Sequence, residues 1–220
     1  MKKKFDCVEM KNEIQRMLLA EYEGLSDAER HARIERELLA DPRFGPFLRR
    51  SIEQRSCVME ESSGYGKNRH LKVFVDTSVF GGCFDAEFEK ESRWFFDEVQ
   101  AGRFDVITTE TVMKELSKAP EHVCGFVDDL LTHMKILKPS AEVDALRDAY
   151  IDAGILGKSS LDDAEHIASA TVERVDLLVS WNFKHIVHFD KIRAYNGVNA
   201  LKGYGSIDIR SPQEVIAYDE

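Results

Sequence analysis

The first seventy residues are patterned as short helices and breaks. Over residues 9–24 the apolar Ile14, Met17, Leu18 and Tyr22 recur at helical spacing, and Gly24 offers a stop. Ser26 and Glu29 form a capping-box pair for a second helix over residues 26–40, whose apolar positions are few: Ile34, Leu38 and Leu39. Two such helices bury little between them, so they need another surface. Residues 41–50, DPRFGPFLRR, hold two prolines and a glycine that break a long helix, and set Phe44, Phe47 and Leu48 among basic residues. Residues 57–70 are polar and include Ser-Ser-Gly-Tyr-Gly, which reads as a linker.

From Leu71 the pattern changes. Val73, Phe74 and Val75 form a short β-branched and aromatic run, as a buried parallel strand would, and it ends on Asp76. Thr77 and Ser78 turn the chain, and Gly81-Gly82 lets the backbone pass close to a neighbour. Helices are predicted over 86–101, 109–118, 121–134, 141–154 and 160–174. Strands are predicted over 104–108, 175–180 and 206–210, with a short extended piece at 136–139. Strands that alternate with helices define an α/β class with a mainly parallel sheet. Right-handed crossovers gather the carboxyl ends of such strands along one edge, where ligands bind.

Charge changes this picture unevenly. Residues 1–70 hold 14 basic and 13 acidic residues, whereas the remainder holds 16 and 27, a net of −11. A bare nucleic-acid binder carries the opposite sign, so nucleic-acid chemistry on this body requires cations or a local basic track. No apolar run approaches the roughly eighteen residues of a membrane span, and the basic N-terminus has no apolar core after it, so it does not read as a signal peptide. Cys7, Cys57, Cys83 and Cys124 are scattered without a CxxC pair, which points to reduced thiols in a cytoplasm.

Four places put an oxygen ligand near the predicted edge: Asp76; Glu115, with Glu110 nearer the start of its helix; Asp162-Asp163 in the first turn of a helix; and Asn182 after the 175–180 strand. Hard cations such as Mg²⁺ and Mn²⁺ take such ligands, and like charges packed together repel unless a cation joins them. Each residue also has a plainer role. Asp76 can cap a helix, Ser160 and Asp163 can form a capping box, Asn182 suits a turn, and His166 and His185 suit structural hydrogen bonds.

The series VFVDTSVFGG, TTETVMKEL, LDDAEHIASA and LLVSWNFKHI resembles the PIN domain, in the branch of VapC-like ribonuclease toxins, over residues 71 to about 215. The resemblance implies a three-layer fold with a central, mainly parallel sheet behind a small helical N-terminal arm. It implies a Mg²⁺- or Mn²⁺-dependent endoribonuclease in which Asp76, Glu115 and Asp163 hold metal and Asn182, in place of the more usual Asp, assists. Thr77, Ser78, Glu110 and Asp162 are accessory candidates. FDCVEMKNEIQ, GLS and FGPFLRR resemble the short VapB-like antitoxins that lie beside such toxins. That implies an arm over residues 1–56, a linker over 57–70 and a nuclease domain over 71–220. Phe44, Phe47 and Leu48 would anchor the arm, in its own or a neighbouring chain, and Arg49 or Arg50 would plug the acidic site. RNA is the implied substrate, with a cytoplasmic dimer the expected state.

Other classes fit less well. A receiver-like signalling domain needs an acid pair before its phospho-accepting Asp. A haloacid-dehalogenase phosphatase needs a second Asp where Ser78 stands. A catalytically quiet PIN-like binding module remains open.

Overall fold

The computed structural model describes residues 3–55 and 70–216, so the expected linker, except His70, lies outside the described residues. Three helices come first: α1 (Cys7–Glu21), α2 (Asp27–Ala40) and α3 (Gly45–Arg55). Asp6 caps α1 by accepting from the Val8 and Glu9 amides, and the Ser26–Glu29 capping box opens α2. α3 departs from the sequence expectation. The expected break falls between α2 and α3, but Pro46 lies in the first turn of α3, where a missing N–H costs nothing, so a helix that was not expected begins at Gly45.

The sheet follows. β1 (Leu71–Val75), β2 (Phe104–Thr109), β3 (Met134–Leu137), β4 (Leu177–Val179) and β5 (Ile209–Arg210) run parallel in the order β3-β2-β1-β4-β5. Consecutive buried positions in β1, β2 and β4 show that both faces are covered. The covering helices are α4 (Thr77–Gly82), α5 (Glu89–Gln100), α6 (Glu110–Ser117), α7 (Glu121–Leu130), α8 (Ala141–Asp152), α9 (Leu161–Val172), α10 (Phe189–Lys202) and α11 (Pro212–Val215). Strand order reverses between β1 and β4. The crevice outside their carboxyl ends is therefore the topological switch point where open α/β sheets bind ligands.

The N-terminal helices share the core of the sheet. Cys7, Met10, Ile14 and Leu18 of α1 and Ile34 and Leu38 of α2 belong to one apolar cluster with Val73, Phe80 and Leu116. Gly81 explains how α1 comes so close: a Cβ there would lie 2.9 Å from the Met10 methyl and 3.0 Å from the Cys7 Cβ. Phe44 and Leu48 are buried in the same cluster, and Phe47 packs against it half-buried. Cys7, Cys83 and Cys124 are free and buried. Among the described residues no helix is long and apolar enough to cross a membrane.

Candidate metal centre and its internal cation

Asp76 ends β1 and caps α4, and both roles use the same carboxylate. Its Oδ2 accepts from the Ser78 amide at 3.2 Å, the Ser78 hydroxyl at 2.5 Å and the Ser180 hydroxyl at 2.9 Å. Its Oδ1 faces away from these donors and lies 3.0 Å from His166 Nδ1. Asp163 enters from the first turn of α9. The Asn182 amide donates to its Oδ2 at 3.1 Å, and His185 Nδ1 lies 2.8 Å from the same atom. Ser160 makes no side-chain cap at the start of α9, so the expected capping box does not form and Asp163 is free to face inward. Glu115, on α6, accepts from the Thr77 hydroxyl and stands 3.4 Å from His166 Nε2. All of these acids are fully buried. Ligand atoms of Asp76, Asp163 and His166 lie within 4.8 Å of one another.

A lysine of α1 fills the centre of this cluster. Lys11 Nζ donates to Asp76 Oδ1 at 2.5 Å and to Asp163 Oδ1 at 2.6 Å. One turn on, the Gln15 amide donates to Glu115 Oε1 at 2.9 Å and to Asp163 Oδ1 at 3.3 Å. Burial opposes charge on each group, but the pairing prevails. Desolvation would lower the Lys11 ammonium, yet Asp163, Asp76 and Glu115 raise it above the usual lysine range. Desolvation would raise Asp76 and Asp163, yet Lys11, with His166 on the first and His185 on the second, holds both well below the usual carboxylate range. Glu115 behaves differently. Burial pushes it up to about 7 against the pull of His166 and Lys11.

Arg49 and Arg50, the expected plugs, are not in the site. Both are exposed on α3, where they donate to the carbonyls of Leu39 and Pro46. A guanidinium at either position lies on the outer face of a helix whose inner face carries Leu48, with buried Phe44 just before its start. Lys11 and Gln15 make the contacts with the acids that were expected of the arginines. They carried a usable signal: two polar residues four apart, on the helical stripe of Cys7, Ile14 and Leu18, mark a buried polar target.

The accessory candidates divide. Thr77 and Ser78 hold Glu115 and Asp76 as described. Glu110 is buried at the first position of α6. Asp162 points to the other side of α9, where Arg30 of α2 donates to it at 2.5 Å and reaches Glu165 at 3.0 Å. Glu165 also accepts from the Thr111 hydroxyl, and Arg147 lies 4.0 Å away.

The donor set suits a hard divalent cation. Two carboxylate oxygens already converge on a single positive atom at 2.5 and 2.6 Å, with a third acid beside them. No family model matches the sequence, and no curated protein matches it. Among solved structures the chain is similar to VapBC2 from Rickettsia felis, crystallised bound to a DNA fragment from its promoter. Identity is 17%, the match covers 64% of this chain and 98% of that chain, and the TM-score is 0.42. A likeness that shallow assigns no role to any residue here.

Proposed function

We propose that the chain is a Mg²⁺- or Mn²⁺-dependent endoribonuclease of the PIN type, similar in kind to a VapC-like toxin. Its N-terminal arm acts as an antitoxin-like inhibitor in the same chain. The observation that carries this reading is the convergence of Asp76, Asp163 and Glu115 at the β1–β4 switch point around a cation supplied by a separate segment.

The metal would be held by Asp76, Asp163 and Glu115, and when bound it supplies Lewis acidity and a water of lowered pKa. The chain's own residues set the geometry. Ser78 and Ser180 fix the Asp76 carboxylate, Thr77 fixes Glu115, and Asn182 and His185 fix Asp163. Asn182 donates a hydrogen bond where the more usual Asp would accept one, which orients Asp163 at the cost of one negative charge. Lys11 satisfies the same oxygens that a metal would use, so the Lys11 ammonium and a metal ion exclude each other between Asp76 and Asp163.

The full-length Lys11→Met variant tests this. It is expected to cut single-stranded RNA when Mn²⁺ or Mg²⁺ is added and to stop when the metal is chelated, whereas the parent chain stays inert. A second reading, a quiet binding module, draws on the way α1 shares the core of the sheet. A folded Lys11→Met chain that is inert with both metals would establish it.

A further inference from the structure

Residues 183–193, FKHIVHFDKIR, follow Asn182 and reach the first turn of α10. They carry Lys184, Lys191 and Arg193 against a single acid, Asp190, in a chain whose net charge is −10. They also carry two of the most exposed aromatic rings of the described residues: Phe183 is 48% exposed and Phe189 72%. Phe183 is the outermost of three grouped rings. Buried Trp181 stacks on Phe88 at 4.2 Å, and Phe183 lies 6.1 and 6.4 Å from those two. The Arg193 guanidinium sits 5.6 Å from the Phe189 ring centre.

The segment is tied to the acid cluster. His185 Nδ1 contacts Asp163, and the His185 carbonyl accepts from the Tyr195 hydroxyl at 2.7 Å. The amides of Ile186 and Val187 both donate to the Asn182 carbonyl at 2.9 Å. Lys191 is half-buried. Exposed rings with nearby cations, on a segment hydrogen-bonded to the acid cluster, match the way proteins grip unpaired bases and their phosphates.

Resting on the nuclease reading above, we infer that this surface is a platform for single-stranded RNA. Phe183 and Phe189 stack on bases. Lys184, Lys191 and Arg193 take the phosphates, so that the strand is led toward Asp163. It is the local basic track that an acidic body needs in order to bind a polyanion. A duplex, whose bases are already stacked, gains nothing from the rings.

The test is fluorescence anisotropy of the full chain with a labelled single-stranded RNA of about ten nucleotides, in EDTA so that cleavage plays no part. The single strand is expected to bind at least about tenfold more tightly than a duplex of the same sequence. The double change Phe183→Ala, Phe189→Ala is expected to weaken binding about tenfold or more, since each stacked base contributes that order. The double change Lys184→Gln, Lys191→Gln is expected to flatten the log–log salt dependence by about 1.4, two phosphates at about 0.7 each. No binding by the parent chain, equal binding of duplex, or an unchanged affinity in the phenylalanine variant overturns the inference. So does a dimer, seen by sedimentation, that the phenylalanine changes dissolve without altering RNA affinity, since the patch then faces a second copy of this chain. If binding behaves as stated while Lys11→Met does not cleave, the platform stands and the nuclease reading falls.

Discussion

Asp162 and Asp163 are adjacent in sequence yet belong to two different clusters, one on each side of α9. Both clusters are acids neutralised by a basic residue from the N-terminal helices. In the first, an ammonium from α1 lies between Asp76 and Asp163. In the second, the guanidinium of Arg30 spreads over Asp162 and Glu165, with Arg147 close behind. A guanidinium is a planar fork that satisfies several oxygens at fixed angles, so it fastens two elements together. An ammonium is a compact point charge, and it can stand where a metal ion would stand. The second cluster is a staple between α2 and α9. The first, on the reading proposed above, is a site whose occupant a metal ion can replace.

Removing each cation separates the two roles. Lys11→Met has the largest expected effect. It leaves two fully buried carboxylates without their partner, which costs about 3–5 kcal/mol in stability. Mn²⁺ is expected to restore most of that loss, because a ligand at about 100 times its dissociation constant contributes roughly 2.7 kcal/mol. Thermal melts with and without Mn²⁺ measure both quantities, and a variant whose melting point ignores Mn²⁺ removes the metal assignment. The gap between parent and variant also depends on pH in a defined direction. Asp76 and Asp163 titrate below their ordinary value of 3.8 in the folded chain. The stabilisation their pairing gives is therefore present above about pH 4 and lost as the pH falls below it. Melts of the two proteins are expected to converge only in acid.

Arg30→Met is expected to cost about 3 kcal/mol by the same reasoning, with slightly more solvent to soften it. Here the distinguishing result is what does not follow. Mn²⁺ is expected to leave the melting point of this variant unchanged, and RNA is expected to stay intact. A Mn²⁺-dependent rise as large as that of Lys11→Met would make the second cluster a metal site as well and erase the contrast.

Gln15→Ala sharpens the first cluster further. Its amide bridges Glu115 and Asp163 at 2.9 and 3.3 Å, and losing a buried hydrogen bond to a charged group costs about 1.5–3 kcal/mol. The Lys11 ammonium stays in place, so the expected cleavage with Mn²⁺ is weaker than in Lys11→Met. Equal cleavage in the two variants would shift the inhibitory weight from the lysine to the docking of α1 as a whole.

How much of this was legible in the sequence follows from the signals each element carries. The sheet was readable because VFV, VITT and LLV are unbroken apolar or β-branched runs. The oxygen ligands were readable because Asp76 and Asn182 follow such strands and Glu115 and Asp163 lie in helices next to them in the chain. α10 was not read, because only Tyr195 and Asn199 are buried along it and no periodicity survives. α4 looked like a turn because Thr77–Gly82 ends in two glycines, yet that close packing is what admits α1 over Gly81. Lys11 was missed because a single lysine in an amphipathic helix looks like solvent-facing charge. Only its register with Cys7, Ile14 and Leu18 says otherwise, and the partners that make it tolerable are 65 and 152 residues away.

The smallest expected effect belongs to the residues that looked most like the plug. Arg49 and Arg50 follow three apolar anchors and have the fork geometry that suits carboxylates, so their position in sequence invites that role. Their position in space does not support it. Arg49 donates to the Leu39 carbonyl at 2.7 Å and Arg50 to the Pro46 carbonyl at 3.2 Å, both at exposed positions on α3. Exposed contacts of this kind contribute little, so the double change Arg49→Glu, Arg50→Glu is expected to alter stability by no more than about 0.5 kcal/mol per site. It is expected to release no cleavage and no Mn²⁺ response. The contrast with Lys11→Met is what gives the experiment its force, because the lysine variant removes one positive charge and the arginine variant reverses two. If net charge on the arm held it against the acidic body, the arginine variant would open the site more fully. If the ammonium between Asp76 and Asp163 holds it, only the lysine variant will. Cleavage by the arginine variant at the level of Lys11→Met would return the inhibitory role to α3.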